Sequence, residues 1–72
     1  MADILWSHLA SEDVPFMARI MRMNRPDRNQ RYFWSWQGEV SHNAAYCPTL
    51  AEAVRCITDA TGIVPDIDWN LV

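Results

Sequence analysis

Lysine is absent from this 72-residue chain, and glycine, cysteine and histidine each occur only twice. With Gly38 and Gly62 so far apart, no glycine-rich loop is present to cradle a phosphate. The histidines and cysteines form neither a C-x-x-C nor an H-x₃₋₅-H unit, which argues against a zinc site. No apolar run approaches the roughly 20 residues that a membrane-spanning helix needs. We therefore expect no metal, no cofactor and no membrane span.

The two cysteines are predicted to remain free thiols. Cys47 precedes a predicted helix and Cys56 lies two turns into it, which separates them by about 10 Å or more. A disulfide requires Cα atoms within about 7 Å of each other. The first six residues carry no basic region ahead of their apolar residues, unlike a secretory signal. The expectation is a cytoplasmic protein.

Half of the residues are apolar and four are tryptophan, enough to build one small core. We therefore expect a single domain over residues 1–72. Nucleophilic catalysis would require a thiol beside His42, and Cys47 follows it closely enough in sequence for contact. A domain this small nevertheless offers little room for a closed substrate pocket, so the expectation is a protein without enzymatic activity.

The clearest predicted element is a helix from Thr49 to Thr61. Thr49 is a favourable N-cap, and Glu52 three residues later completes a capping box. Gly62 is predicted to end the helix, with Ile63 folding back on the last turn. Apolar residues recur at helical spacing and are expected to form the buried stripe: Leu50, Ala53, Val54, Ile57 and Ala60.

Residues Arg31 to Tyr46 predict a β-hairpin, because aromatic and β-branched residues dominate and Gln37-Gly38 offers a two-residue turn. This turn would pair Trp36 with Glu39, Trp34 with Ser41 and Tyr32 with Asn43. Strand alternation then divides the side chains into two faces. One carries Tyr32, Trp34 and Trp36, and the other carries Phe33, Val40, His42 and Ala44. Either face can form the core, and exposed tryptophans would mark an interaction site.

Residues Asp13 to Met23 are predicted to form a second helix, with acids and Pro15 near its start. A strand is the alternative, but its alternation fits less well because Arg19, Met21 and Met23 would share a side. Ile4–Leu9 fits either a short helix or an edge strand. The tail from Val64 to Trp69 alternates apolar and acidic residues, as a short strand or a packed arm would. The predicted fold class is α+β, a hairpin packed on a capped C-terminal helix together with an N-terminal helix.

The charge of the chain is strongly bipolar. Segment 19–31 holds five arginines and Asp27, a charge of about +4, whereas eight acids and Arg55 give the remainder about −7. Three-residue spacing drifts around a helix, so the arginines mark a local concentration of charge and no regular geometry. Aromatic residues follow directly, and arginine and tryptophan are typical of interface hot spots. The predicted contact residues are Arg22, Arg25, Arg28, Arg31, Phe33, Trp34 and Trp36.

Two short motifs carry a resemblance to known proteins. Tyr32-Phe33-Trp34-x-x-x-Gly38-Glu39-Val40, followed by Thr49-Leu50-x-Glu52-Ala53, resembles a hairpin-then-helix layout in small bacterial proteins of uncharacterised function. It is also similar to the small RNA polymerase inhibitors of lytic phages, in which a Phe-Trp strand precedes a Thr-Leu-x-Glu-Ala helix. The motifs cover less than half of the chain. The resemblance implies a host-directed binding protein, with Phe33 and Trp34 as contact residues.

Three interpretations of the basic segment remain open: pairing with the chain's own acids, binding to an acidic protein surface, and binding to nucleic acid. We favour a monomeric regulator or inhibitor that binds a larger host complex such as the transcription machinery, with RNA polymerase as one candidate. Charge would steer the encounter, and Trp34 or Trp36 would anchor it. The alternative is a nucleic-acid-binding module with arginines on phosphates and an aromatic ring as a stacking platform.

Overall fold

The computed structural model describes residues 3–24 and 27–67, which form four antiparallel strands and one helix. The strands lie in the sheet in chain order, so each pairs with its neighbour in sequence. They are β1 (Asp3–His8), β2 (Met17–Arg22), β3 (Tyr32–Gln37) and β4 (His42–Cys47). A 3₁₀ turn at Arg28–Gln30 interrupts the β2–β3 connection, and α1 (Leu50–Thr61) follows β4. The predicted α+β class is confirmed.

The C-terminal helix forms as its capping residues predict. The Thr49 hydroxyl accepts a hydrogen bond from the Glu52 N–H at 3.2 Å. Gly62 adopts a left-handed conformation at φ 78° and donates its N–H to the Thr58 carbonyl at 2.8 Å. The Ile63 N–H donates to the Thr61 hydroxyl at 3.1 Å. Within the predicted stripe Leu50, Ala53 and Ile57 are buried, Val54 is half-buried and Ala60 is exposed.

The N-terminal helix predicted over Asp13–Met23 is wrong. Met17–Arg22 forms β2, which lies between β1 and β3. Its side chains alternate, with Ala18 and Ile20 buried and their neighbours more exposed. Pairing on both edges satisfies the backbone of β2 through contacts distant in sequence, and these override the helical spacing of its apolar residues. Of the two structures predicted for Ile4–Leu9, the edge strand forms, and it is β1. The pairing of β1 with β2 is irregular between Ile4 and Trp6.

The hairpin forms, but with a longer turn than predicted. The Gly38 N–H donates to the Ser41 carbonyl at 2.8 Å, and Trp36 pairs with Asn43 instead of Glu39. Gly38 does not adopt the positive φ that a two-residue type I′ turn requires. A Cβ atom at this position would lie 2.9 Å from the Phe16 ring, so glycine permits a close approach here. The register shift is even, so the predicted division between faces is preserved for the residues of β3 and β4, whereas Val40 lies in the turn.

The face that carries the tryptophans forms the core. Helix α1 contacts β2, β3 and β4 on this face. Trp34 is 7% exposed, while Ile20 and Ile57 are fully buried. The predicted packed arm is found in residues 63–67, where Pro65 and Ile67 are buried. Trp69, the last residue of the predicted tail, lies outside the described residues. The opposite face of the sheet is therefore the one that α1 leaves uncovered.

Candidate binding surface

The side of the sheet that α1 leaves uncovered, here called the open face, combines apolar side chains with the cation Arg19. Ile4 is 60% exposed, Met17 47% and Tyr46 40%. Alternation and register assign eleven strand residues to this face: Ile4, Ser7, Met17, Arg19, Met21, Phe33, Ser35, Gln37, His42, Ala44 and Tyr46. Apolar groups gathered on one exposed face are typical of an interaction surface.

An apolar row crosses the open face near one end of the strands. Ile4 pairs with Met21, Met21 with Phe33, and Phe33 with Tyr46, so all four strands contribute one side chain. The Phe33 and Tyr46 rings lie 4.9 Å apart between centroids and are tilted by 51°. Such aromatic pairs provide a large apolar area with few rotatable bonds, which suits an anchoring role.

A second row, next to the apolar row, has small side chains around a single arginine. Ser7 pairs with Arg19, Arg19 with Ser35, and Ser35 with Ala44. These residues line a shallow groove of about 560 Å³, which Met17 also borders. Because its neighbours in the row are short, the exposed Arg19 side chain is accessible from the groove.

Arg19 is the only Asp, Glu, Lys or Arg side chain that strands β1 to β4 place on the open face. No salt bridge involves Arg19 within residues 3–24 and 27–67. The open face is thus apolar and cationic, although the whole chain has a formal net charge of −3. This local charge is opposite in sign to that of the protein.

The arginines predicted as contact residues do not include Arg19, and those that the structure describes lie outside the strand positions of the open face. Arg22 makes a 3.0 Å salt bridge with Asp3, and both side chains are about half exposed. Arg28 and Arg31 are exposed in the β2–β3 connection. There the Asp27 side chain caps the 3₁₀ turn by accepting from the Asn29 N–H at 2.9 Å. Arg25 lies outside the described residues.

The predicted aromatic contacts divide between the two faces. Phe33 lies on the open face, while Trp34 is buried in the core. Trp36 packs against the core and meets the Phe16 ring edge-on at 6.0 Å between centroids. Among the three, only Phe33 is therefore positioned for contact from the open face. The alternation of Met17, Arg19 and Met21 is the sequence signal for the rest of this surface.

Part of the bipolar charge of the sequence is found at opposite ends of the sheet. The β2–β3 connection, with Arg28 and Arg31, adjoins the end of the sheet where the apolar row lies. The β1–β2 and β3–β4 loops meet at the opposite end, where Glu12, Asp13 and Glu39 are exposed. An approaching acidic surface is therefore attracted toward the apolar row and repelled from the other end.

His42 and Cys47 do not form a catalytic pair in this fold. His42 is on the open face and Cys47 is buried in the core, at opposite ends of β4. The Cys47 thiol donates to the Thr49 carbonyl at 3.3 Å, and burial, together with Glu52, raises its pKa from 9.0 to about 11. Both thiols, Cys47 and Cys56, are free. A thiol with so high a pKa is a poor nucleophile at neutral pH.

The chain matches no protein-family model, no curated protein and no solved structure. Over the described ranges, no group of three or more His, Cys, Asp and Glu side chains could hold a metal ion. No helix in those ranges has the length and apolar character needed to cross a membrane.

Proposed function

We propose that this chain is a small, non-enzymatic regulator that binds an acidic surface of a larger protein complex through its open face. The observation that carries the proposal is the apolar row beside Arg19, a cation without a salt bridge in the described ranges, on a protein of net negative charge. Apolar groups provide most of the binding free energy in such an interface, while charge complementarity selects the partner.

Steering and anchoring are assigned to different residues in this proposal. Arg28 and Arg31 lie close to the apolar row and attract an acidic partner during the encounter. Phe33 and Tyr46 then lose exposed area to the partner and hold the complex. Trp34 packs in the core beneath the open face and does not contact the partner.

The class of target follows from the resemblance to the small RNA polymerase inhibitors of lytic phages. That resemblance suggests the host transcription machinery, with RNA polymerase as the first candidate. The protein would act there as a cytoplasmic monomer. Nucleic acid is disfavoured as the partner, because Glu12, Asp13 and Glu39 would approach the phosphates within the width of one small domain.

A capture experiment distinguishes these partners. Tagged protein is incubated with bacterial lysate, with and without nuclease, and bound proteins are identified by mass spectrometry. We expect a protein partner that survives nuclease treatment and decreases at least tenfold with the Arg28→Glu/Arg31→Glu double variant. The control is Arg55→Glu, on the exposed side of α1 away from the sheet, which should retain the partner. Loss of every partner after nuclease treatment would overturn the proposal in favour of nucleic acid.

A further inference from the structure

We propose that the groove around Arg19 receives a single segment of the partner that places a carboxylate on the Arg19 guanidinium, between apolar side chains. This inference rests on the proposed function, because it assumes that the partner is a protein. It adds the position of the central contact and the chemistry of the segment that occupies it.

Arg19 has no carboxylate partner among the described residues. Arg22, its neighbour on β2, already has a carboxylate partner in Asp3. Arg19 is exposed and has Ser7 and Ser35 beside it in register. A guanidinium has a planar set of donors that matches a carboxylate in a bidentate pair. A carboxylate is thus the group best suited to complete this site.

The surroundings of Arg19 specify the rest of the segment. Met21 and Met17 flank it on β2, two residues away in either direction, which is about 7 Å. An ion pair enclosed by apolar groups is screened less than one in open water. A partner segment that buries these methionines must carry apolar side chains on both sides of its carboxylate. Four strands span about 14 Å, so the groove accommodates a short stretch of one chain.

A second copy of this chain is a poor occupant of the groove. In a symmetric dimer the same surface patch meets itself. Arg19 lies on the interior strand β2, in the middle of its length, so face-to-face pairing would bring two guanidinium groups together. The described strands supply no acid on the open face to compensate for that repulsion. Charge complementarity therefore favours a different protein with an acidic segment.

Site-specific photocrosslinking in bacterial lysate tests this inference. One variant carries p-benzoylphenylalanine at Tyr46 on the open face, and a second carries it at Ala51 on the exposed side of α1. Each is prepared with and without Arg19→Gln, and melting curves verify that all four proteins are folded. The crosslinked segments of the partner are sequenced by mass spectrometry.

The expected result is a crosslink from position 46 to a segment with Asp or Glu between apolar residues, reduced at least fivefold by Arg19→Gln. Position 51 should not capture that segment. A crosslink at 46 that is unaffected by Arg19→Gln, or a segment without acids, would overturn the inference and leave the proposed function standing. Crosslinks to a second copy would overturn it in favour of self-association. Absence of any protein crosslink from both positions would count against the proposed function itself.

Discussion

The two faces of the sheet share the same strands and yet differ in almost every physical property. The covered face packs Ile20 and Trp34 against α1 with 0% and 7% exposure. The open face leaves Met17 and Tyr46 at 47% and 40% exposure, beside a cation without a salt bridge among the described residues. Burial of the covered face stabilises the fold. The apolar side chains of the open face remain partly exposed and can contact a partner. Substitutions on the two faces should therefore separate stability from binding.

The largest difference should come from Trp34 and Met17. Trp34→Ala removes a buried ring and should lower the free energy of unfolding by about 3–5 kcal/mol. That loss would unfold much of so small a domain. Met17→Ala on the open face should cost about 1 kcal/mol or less, because half of its side chain is already exposed. Denaturant unfolding measures both free energies. Equal losses for the two variants would show that the covered and the open face are wrongly assigned.

Helix α1 allows the same comparison on the other side of the core. Ile57 is fully buried against the sheet, so Ile57→Ala should lower the free energy of unfolding by about 2–4 kcal/mol. Ala51 is exposed on the opposite side of the helix, and Ala51→Ser should change the melting temperature little. Superimposable melting curves for these two variants would contradict the assignment of the buried stripe.

Alkaline pH should lower the free energy of unfolding, because it ionises the Cys47 thiol on the covered face. Its folded pKa is raised to about 11 from 9.0, so the folded state holds the proton more tightly than the unfolded state. This contribution is present in full below pH 9 and is lost as pH rises through about 11, at most about 2–3 kcal/mol. Unfolding free energies at pH 8 and pH 10.5 should differ less for Cys47→Ala than for wild type. If wild type and Cys47→Ala lose the same free energy of unfolding between the two pH values, the alkaline sensitivity arises from another group.

The smallest expected effect concerns the end of the helix. Gly62 has φ 78°, and within residues 3–24 and 27–67 a Cβ atom added there would have no atom within 4 Å apart from Gly62 itself and its two chain neighbours. Gly62→Ala should therefore cost only the strain of a left-handed backbone, about 1 kcal/mol. Thermal melting measures this loss. A much larger decrease in stability would contradict the open surroundings of Gly62 described above.

Elements specified by neighbouring residues are predictable from the sequence, whereas those specified by distant pairing are not. Thr49 and Gly62 define α1 through contacts within a few residues. The apolar residues of Met17–Arg22 fit helical spacing better than strand alternation, and only the pairing with β1 and β3 makes this segment a strand. The turn at Gly38 likewise depends on the Phe16 ring, which is distant in sequence.

The candidate site is only partly predictable for the same reason. Strand alternation assigns Phe33 to one hairpin face and the tryptophans to the other, and the even register shift preserves that division. Which face forms the core depends on where α1 packs, and strand alternation alone cannot decide this. Arg19 acquires its central position only when β2 is a strand, so sequence spacing groups it with arginines that lie elsewhere in the structure.

The most direct test of the open face as the binding surface is NMR of protein labelled at its methionine methyl groups and its nitrogen atoms, titrated with the partner identified by capture. Met17 and Met21 report on the open face, and the Trp34 indole N–H reports on the core. We predict that both methyl signals shift or broaden on binding, while the Trp34 signal stays in place. Unchanged Met17 and Met21 signals in the presence of saturating partner would contradict the account.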